Sequence, residues 1–115
     1  MLKIETEYRR GILFIRLEGI LNKKTSVKLN NEIGSIIDKM GLKYIVFNIE
    51  NIVSIDINGV NTLLNQYKLV SNNKGRILVC GFKDNIVINN TYKSKLLSYI
   101  DEINNELSAF EVINL

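Results

Sequence analysis

Several residue types that build common active sites are missing from this sequence, or nearly so. Histidine, tryptophan and proline are absent from the 115 residues, and cysteine occurs once, as Cys80. Without histidine and with one thiol, the usual zinc ligand sets and the Ser-His-Asp and Cys-His catalytic arrangements are excluded. A single cysteine cannot form an internal disulfide, which is typical of a reducing compartment. We therefore predict a protein that is not an enzyme and holds no metal or cofactor.

The sequence also has little charge imbalance and no long apolar run. The net charge is +3, from 15 basic and 12 acidic residues, and the densest basic clusters are the pairs Arg9-Arg10 and Lys23-Lys24. Nucleic-acid-binding domains usually carry a concentrated basic stripe, so nucleic acid is not the expected partner. No apolar run approaches the roughly 20 residues of a membrane span, and the acid Glu5 argues against a signal peptide. We expect one cytoplasmic domain over residues 1–115, because a chain of this length is typical of a domain with a single hydrophobic core.

Hydrophobic periodicity predicts alternating strands and helices. Residues 2–8 and 12–18 alternate apolar and polar side chains, which indicates a β-hairpin around a tight turn at Gly11. Further strands are predicted at 44–49, 76–80 and 99–103, of which the first is apolar on both faces and so belongs in the middle of a covered sheet. Cys80 ends an apolar strand and is expected to be a small core residue.

Apolar residues at helical spacing predict about four helices between these strands. The first begins at Asn22 or Thr25 and ends at Gly41, the second ends near residues 72–75, the third covers 84–97 with Asp84 as its cap, and the last begins at Asn104 or Asn105. The inward positions of the first and last helices are Leu29, Ile33, Ile36, Ile37, Met40, Leu107, Phe110 and Ile113. The predicted order is β-β-α-β-α-β-α-β-α, an α/β fold whose mixed sheet is opened by an antiparallel hairpin.

The most informative segment is the polar turn between the central strand and the second helix. In open α/β sheets, functional loops lie beyond the carboxyl ends of the strands. Asp56 and Asn58 are placed to accept hydrogen bonds from the first free amides of the helix. Capping alone would explain both residues, so the short motif does not by itself identify a function.

The wider context resembles the STAS domain family, and most of all its stand-alone anti-sigma factor antagonists. Residues 56–64 (DINGVNTLL) are similar to the family's Asp-Ser-Ser-Gly-Leu-Gly motif and the apolar helix face that follows it. Residues 17–22 are similar to the family's Gly-Glu-Leu-Asp stretch, residues 75–79 to its fourth strand, and residues 100–113 to its short strand and terminal helix. The similarity extends over essentially the whole chain.

This resemblance implies a protein-interaction domain that works by partner switching. In the family, the dephosphorylated antagonist binds an anti-sigma factor that is also a GHKL-type kinase, and this binding frees the sigma factor. The kinase inactivates the antagonist by phosphorylating a Ser at the helix start, which adds about −1.5 to −2 charge to the interface. The resemblance places partner binding on Asp56, Ile57, Asn58, Gly59, Val60 and Asn61. We expect Val60 to be partly exposed for docking and Leu64 to lie in the core.

The sequence departs from the family pattern at the position that carries the switch. Asn58 aligns with the phosphorylated Ser and has no hydroxyl, while Ile57 and Asn61 replace a small hydroxyl residue and the second Gly. Ser54 and Thr62 are the hydroxyls four residues to either side, and both are poor geometric substitutes. Three interpretations stay open: a permanently active antagonist, an accessory subunit of another signalling or transport complex, and a site that has decayed to a structural role. A small-ligand or nucleotide-binding STAS module is a further alternative, although the chain has no Gly-rich phosphate loop.

Overall fold

A six-stranded mixed sheet forms the centre of the protein in the computed structural model, which describes residues 1–113. The strands are β1 (Leu2–Arg9), β2 (Ile12–Leu21), β3 (Tyr44–Ile55), β4 (Arg76–Cys80), β5 (Val87–Ile88) and β6 (Asp101–Glu102). They lie in the order β1-β2-β3-β4-β6, and β5 pairs with the far end of β3. β1 and β2 are antiparallel, and every other pair is parallel. The sheet opened by a hairpin is therefore confirmed.

Residues 1–113 contain four helical runs, as predicted, of which three connect strands and the last follows β6. The first comprises α1 (Lys23–Leu29), a π-helical turn (Asn30–Gly34) and α2 (Ser35–Met40). The others are α3 (Ile57–Asn72), α4 (Asn90–Leu97) and α5 (Ala109–Val112), the last preceded by a 3₁₀ turn (Glu106–Ser108). Asn22 caps α1 in a reciprocal capping box with Thr25, and Gly41 ends α2 with a φ of 58°.

The two faces of the sheet are covered unequally. The helices α1 to α4 lie over one face, where the larger hydrophobic core includes Leu17, Phe47, Leu63 and Leu96. The opposite face is covered by the C-terminal segment, whose Ala109 packs over Phe14, Val46 and Cys80 in a second, smaller core. Cys80 is thus the small core residue that the sequence predicted.

The central strand β3 continues six residues beyond the predicted end at residue 49. Its pairing with β2 shifts register between Arg16 and Glu18 and again between Gly19 and Ile20, which indicates bulges. Each bulge adds a residue to β3, so Ile52 and Ile55 still face the larger core even though the alternation is broken. The polar residues 48, 50 and 51 therefore interrupt the apolar pattern without ending the strand.

The third helix is shorter than predicted. Residues 87–88 form β5 and pair with Ser54 and Ile55 of β3, and α4 begins only at Asn90. Asn89, not Asp84, caps this helix with hydrogen bonds from the amides of Thr91 and Tyr92. The run of β-branched residues at 86–88 favours extended backbone over helix, which accounts for the difference. The last strand is likewise shorter than predicted, covering 101–102 instead of 99–103.

Two predicted inward residues are exposed. Met40 is 70% exposed and Leu107 is 68% exposed. Leu29, Ile33 and Ile37 are buried at a spacing of four, because the π-helical turn shifts the phase of the first helical run and leaves Met40 outward. Leu107 lies in the tighter 3₁₀ turn, where the spacing of an α-helix does not apply.

Candidate functional site

The turn between β3 and α3 is fixed by hydrogen bonds of Asp56. Its Oδ1 accepts a hydrogen bond of 3.0 Å from the amide of Gly59, and its carbonyl accepts one of 3.0 Å from the amide of Val60. Its own amide donates to the carbonyl of Leu21 at 3.1 Å, which ties the helix start to the end of β2. Asp56 is therefore the N-cap of α3 in extended backbone conformation, as predicted. The expectation that Asn58 would also accept a hydrogen bond from these amides is wrong, because Asn58 lies within the first turn of the helix.

Close packing at Gly59 brings the first turn of α3 down onto the sheet. A Cβ added at Gly59 would lie 2.6 Å from the carbonyl oxygen of Leu21 and 2.9 Å from Cγ2 of Ile55. Only a residue without a side chain fits between the helix and the ends of β2 and β3 at this distance. Packing therefore requires a glycine at position 59. The close contact also positions the residues on the opposite side of the turn.

Exposure divides the six predicted partner-binding residues into three groups. Asp56 and Asn61 are exposed, Ile57 and Asn58 are half-buried, and Gly59 and Val60 are buried. Val60 is 0% exposed and Leu64 is 9% exposed, so the expectation that Val60 would be partly exposed is wrong. The close approach at Gly59 turns the next side chain toward the sheet, where it joins the larger core. The surface that a partner can reach, here called the turn rim, consists of Asp56, Ile57, Asn58 and Asn61.

A shallow groove beside the turn rim follows the carboxyl ends of β2, β3 and β5. Ser54 pairs with Ile20 on one side and with Val87 on the other, so these three residues lie next to one another across the sheet. Ile20 is 36% exposed and Val87 is 68% exposed, and Asn89 and Tyr92 complete the far wall. The groove was not predicted, because a helix over residues 84–97 would leave no strand at 87–88 to form its wall. The β-branched run at those positions was the signal for a strand.

The two nearby hydroxyls differ in accessibility. Thr62 is 1% exposed, and its hydroxyl donates a hydrogen bond to Oδ1 of Asn30, so it faces the interior of the protein. Ser54 is half-buried within β3. A kinase could not reach Thr62 without separating α3 from the first helical run.

The chemistry available in the rest of the described chain is limited. Burial raises the pKa of the Cys80 thiol to about 11, which keeps it protonated and unreactive at neutral pH. Within residues 1–113, Cys, Asp and Glu side chains do not gather in groups of three that could hold a metal ion. In the same residues, every helix is too short or too polar to cross a membrane.

Similarity to known proteins identifies the family of this chain. The family model of the STAS domain matches residues 3–109. The chain belongs to the STAS domain family. An anti-sigma F factor antagonist of Paenibacillus polymyxa is 28% identical to it over 115 residues, with 98% of each chain covered.

Solved structures of anti-sigma factor antagonists share the fold. The anti-sigma factor antagonist SpoIIAA in its unphosphorylated form superposes with a TM-score of 0.76 at 18% identity, covering 100% of both chains. An anti-sigma factor antagonist from Mycobacterium paratuberculosis gives a TM-score of 0.81 at 13% identity, covering 100% of this chain and 96% of the other. The β3–α3 turn therefore belongs to a fold that anti-sigma factor antagonists share.

Proposed function

We propose that this STAS domain is an anti-sigma factor antagonist that binds its anti-sigma factor through the turn rim and is not switched off by phosphorylation at position 58. The observation that carries the proposal is Asn58 itself. It is half-buried in the first turn of α3 and takes no part in the cap. By the motif resemblance, it aligns with the family's phosphorylated Ser. The 28% identity to an anti-sigma F factor antagonist supports an anti-sigma factor as the partner.

The chemistry of the Asn side chain supports constitutive binding. An amide is uncharged and close to Ser in size, so it can occupy an interface without adding charge. It has no hydroxyl, so a GHKL-type kinase cannot transfer a phosphate to it. The binding-competent state would then be permanent, and control would depend on the amounts of the two proteins.

The test is a charge placed at position 58. Asn58→Asp should weaken binding to the cognate anti-sigma factor on the order of 100-fold, because the interface would bury a carboxylate without a partner. The fold should be kept, since a helix N-terminus favours negative charge. Isothermal titration calorimetry measures the affinity, and a thermal melt checks the fold.

The matched control is Asn104→Asp, which makes the same charge change at an exposed position in the loop after β6. It should bind like the wild type. If Asn58→Asp also binds with unchanged affinity, the turn rim is not the interface, and the chain is better explained as an accessory subunit of another signalling or transport complex.

A second variant tests the absence of the switch. Asn58→Ser should bind as the wild type does and regain a hydroxyl at the family's phosphorylation position, next to the unchanged Asp56 and Gly59. After incubation with the partner kinase and ATP, mass spectrometry should find phosphate at position 58 in this variant alone. Phosphate on Ser54 of the wild type would show that the switch has moved and would contradict constitutive binding.

A further inference from the structure

A second surface lies between α3 and α4; it does not include Asn58 and shares only Asn61 with the turn rim. Its floor is apolar, formed by Leu64 and by the rings of Tyr67 and Tyr99, whose centroids are 5.6 Å apart at an angle of 54°. Tyr99 is 55% exposed, so this part of the floor is open to solvent. The rim is polar and consists of Asn61, Asn65, Lys68 and Lys95. We call this set of seven residues the α3–α4 groove.

The groove lies in a stretch of the chain with a net positive charge. Residues 57–100 contain six basic side chains and one acidic one, Asp84. The helices α3 and α4 contain three lysines and neither Asp nor Glu. Among residues 1–113, neither Lys68 nor Lys95 belongs to an ion pair. Asp38 of α2 lines a neighbouring groove together with Lys68.

We propose that the α3–α4 groove binds an acidic segment of a protein partner that carries an apolar or aromatic side chain between its carboxylates. The apolar side chain would pack on Tyr67 and Tyr99, and the carboxylates would pair with Lys68 and Lys95. A centre of aromatic side chains surrounded by a polar rim is typical of protein interfaces, and complementary charge orients the partner.

A protein segment fits better than nucleic acid. Two lysines flank the groove, whereas nucleic-acid sites usually show a dense basic stripe. The amides of Asn61 and Asn65 offer both donors and acceptors, which suits the backbone of an extended peptide. Position 58 is not part of the groove, and the experiment below does not use the anti-sigma factor. The test is therefore independent of the proposed function.

The experiment titrates the full ¹⁵N-labelled chain with the peptide acetyl-Glu-Asp-Leu-Phe-Glu-Asp-Leu-amide and follows the amide signals by NMR. We expect shifts confined to α3, α4 and Tyr99. The same peptide with Gln and Asn in place of Glu and Asp should bind about threefold to tenfold more weakly, and added salt should weaken the acidic peptide further.

Variants locate the site. The double variant Lys68→Gln/Lys95→Gln should weaken binding by the same factor, and Tyr99→Ala should weaken it through the lost apolar contact. The control Lys39→Gln/Lys43→Gln removes two exposed lysines outside the groove and should bind like the wild type. Asn58→Asp should also bind the peptide normally, so this proposal and the proposed function can fail separately.

Three results would overturn the proposal. They are the absence of amide shifts at millimolar peptide, shifts centred outside the α3–α4 groove, and tighter binding of a twelve-nucleotide oligothymidine than of the peptide at the same residues. The last result would assign the surface to single-stranded nucleic acid.

Discussion

At the scale of single residues, Gly59 determines how closely α3 packs against the sheet and therefore which residues of the turn face solvent. The space for its Cβ is already occupied by the carbonyl of Leu21 and by side chains of Leu21 and Ile55. A backbone carbonyl cannot rotate away as a flexible side chain can. The glycine therefore lets α3 start directly on the ends of β2 and β3, with Asp56 and Asn58 turned outward.

Gly59→Ala should destabilise the protein through this contact. In an open helix the change would be favourable by about 0.5–1 kcal/mol, because alanine is the better helix former. Here the added methyl must displace α3, and overpacking of this kind costs about 1–3 kcal/mol or more. Urea unfolding measures the difference. Asn61→Ala, an exposed change two residues along the same helix, is the control and should be close to neutral. A Gly59→Ala variant as stable as the wild type would mean that the helix shifts freely at this point.

Residue patterns predicted the cap at Asp56 but not the burial of Val60. The hydrogen bond from the amide of Gly59 to Asp56 can be predicted from the sequence, because both residues lie in one helical turn. The exposure of Val60 depends on how closely α3 lies against the sheet, which is set by the contact between Gly59 and Leu21, 38 positions earlier in the chain. Helical spacing identifies an apolar face and leaves open which end of that face is pressed against the sheet.

At the scale of secondary-structure elements, a polar cluster joins the first helical run to α3. Oδ1 of Asn30 accepts hydrogen bonds from the hydroxyl of Thr62 and, at 2.6 Å, from Nε2 of Gln66. Thr62 and Gln66 are each 1% exposed and lie one turn apart on α3. Asn30 is the first residue of the π-helical turn. One side chain therefore satisfies two buried donors across the interface between these helices.

Asn30→Ala should cost about 1–3 kcal/mol of stability, because it removes the short hydrogen bonds of two buried donors. Thr62 and Gln66 would keep only longer ones, of 3.4 Å to the carbonyl of Ser26 and 3.3 Å to the carbonyl of Thr62. The neighbouring exposed residue Asn31 offers a matched control, and Asn31→Ala should change stability by less than about 0.5 kcal/mol. Chemical denaturation of both variants gives the comparison. Equal effects would show that Thr62 and Gln66 find other partners when Asn30 is removed.

Elements with long, regular patterns were predictable, and short or irregular ones were not. The hairpin, α3 and β4 follow directly from their periodicity. The two-residue strand β5 has no periodicity to detect, and it forms because Ser54 and Ile55 extend beyond β4 and offer backbone groups to pair. The π-helical turn leaves each residue looking helical and changes only the phase, which is why Met40 was expected on the wrong side.

At the scale of the whole molecule, one ionic network fastens the C-terminal segment to the sheet. Nε and Nη2 of Arg16 donate to the two carboxylate oxygens of Glu106 at 2.9 and 2.8 Å. Nη2 of Arg16 also reaches Glu7 at 2.9 Å, and Nδ2 of Asn48 donates to Glu106 at 2.9 Å. The network thus joins β1, β2 and β3 to the 3₁₀ turn that leads into α5. Beside it the rings of Phe14 and Phe110 are 5.6 Å apart.

The network makes the docking of the C-terminal segment sensitive to acid. The hydrogen bonds from Arg16 lower the pKa of Glu106 below its ordinary value, against the opposing effect of desolvation. A carboxyl whose pKa is lower in the folded than in the unfolded protein contributes stability above its unfolded pKa, about 4.3. That contribution is lost as the pH falls through the folded pKa. Protonation of Glu106 should therefore loosen the segment at low pH and not at high pH.

Glu106→Gln tests this directly, since it keeps the shape of the side chain and removes the charge. At pH 7 the variant should be less stable than the wild type by about 1 kcal/mol, the strength of a charged hydrogen-bond pair discounted for its partial exposure to solvent. The difference should begin to shrink below about pH 4.3, where the carboxyl of the unfolded protein takes up a proton, and it should disappear as the pH falls through the lower pKa of the folded protein. Glu111→Gln, at an exposed position on α5, is the control and should follow the wild type at both pH values. Urea unfolding at pH 7 and pH 3 gives the four comparisons. If Glu106→Gln loses the same stability at both pH values, the side chain acts through packing, and the ion pair with Arg16 does not hold the segment in place.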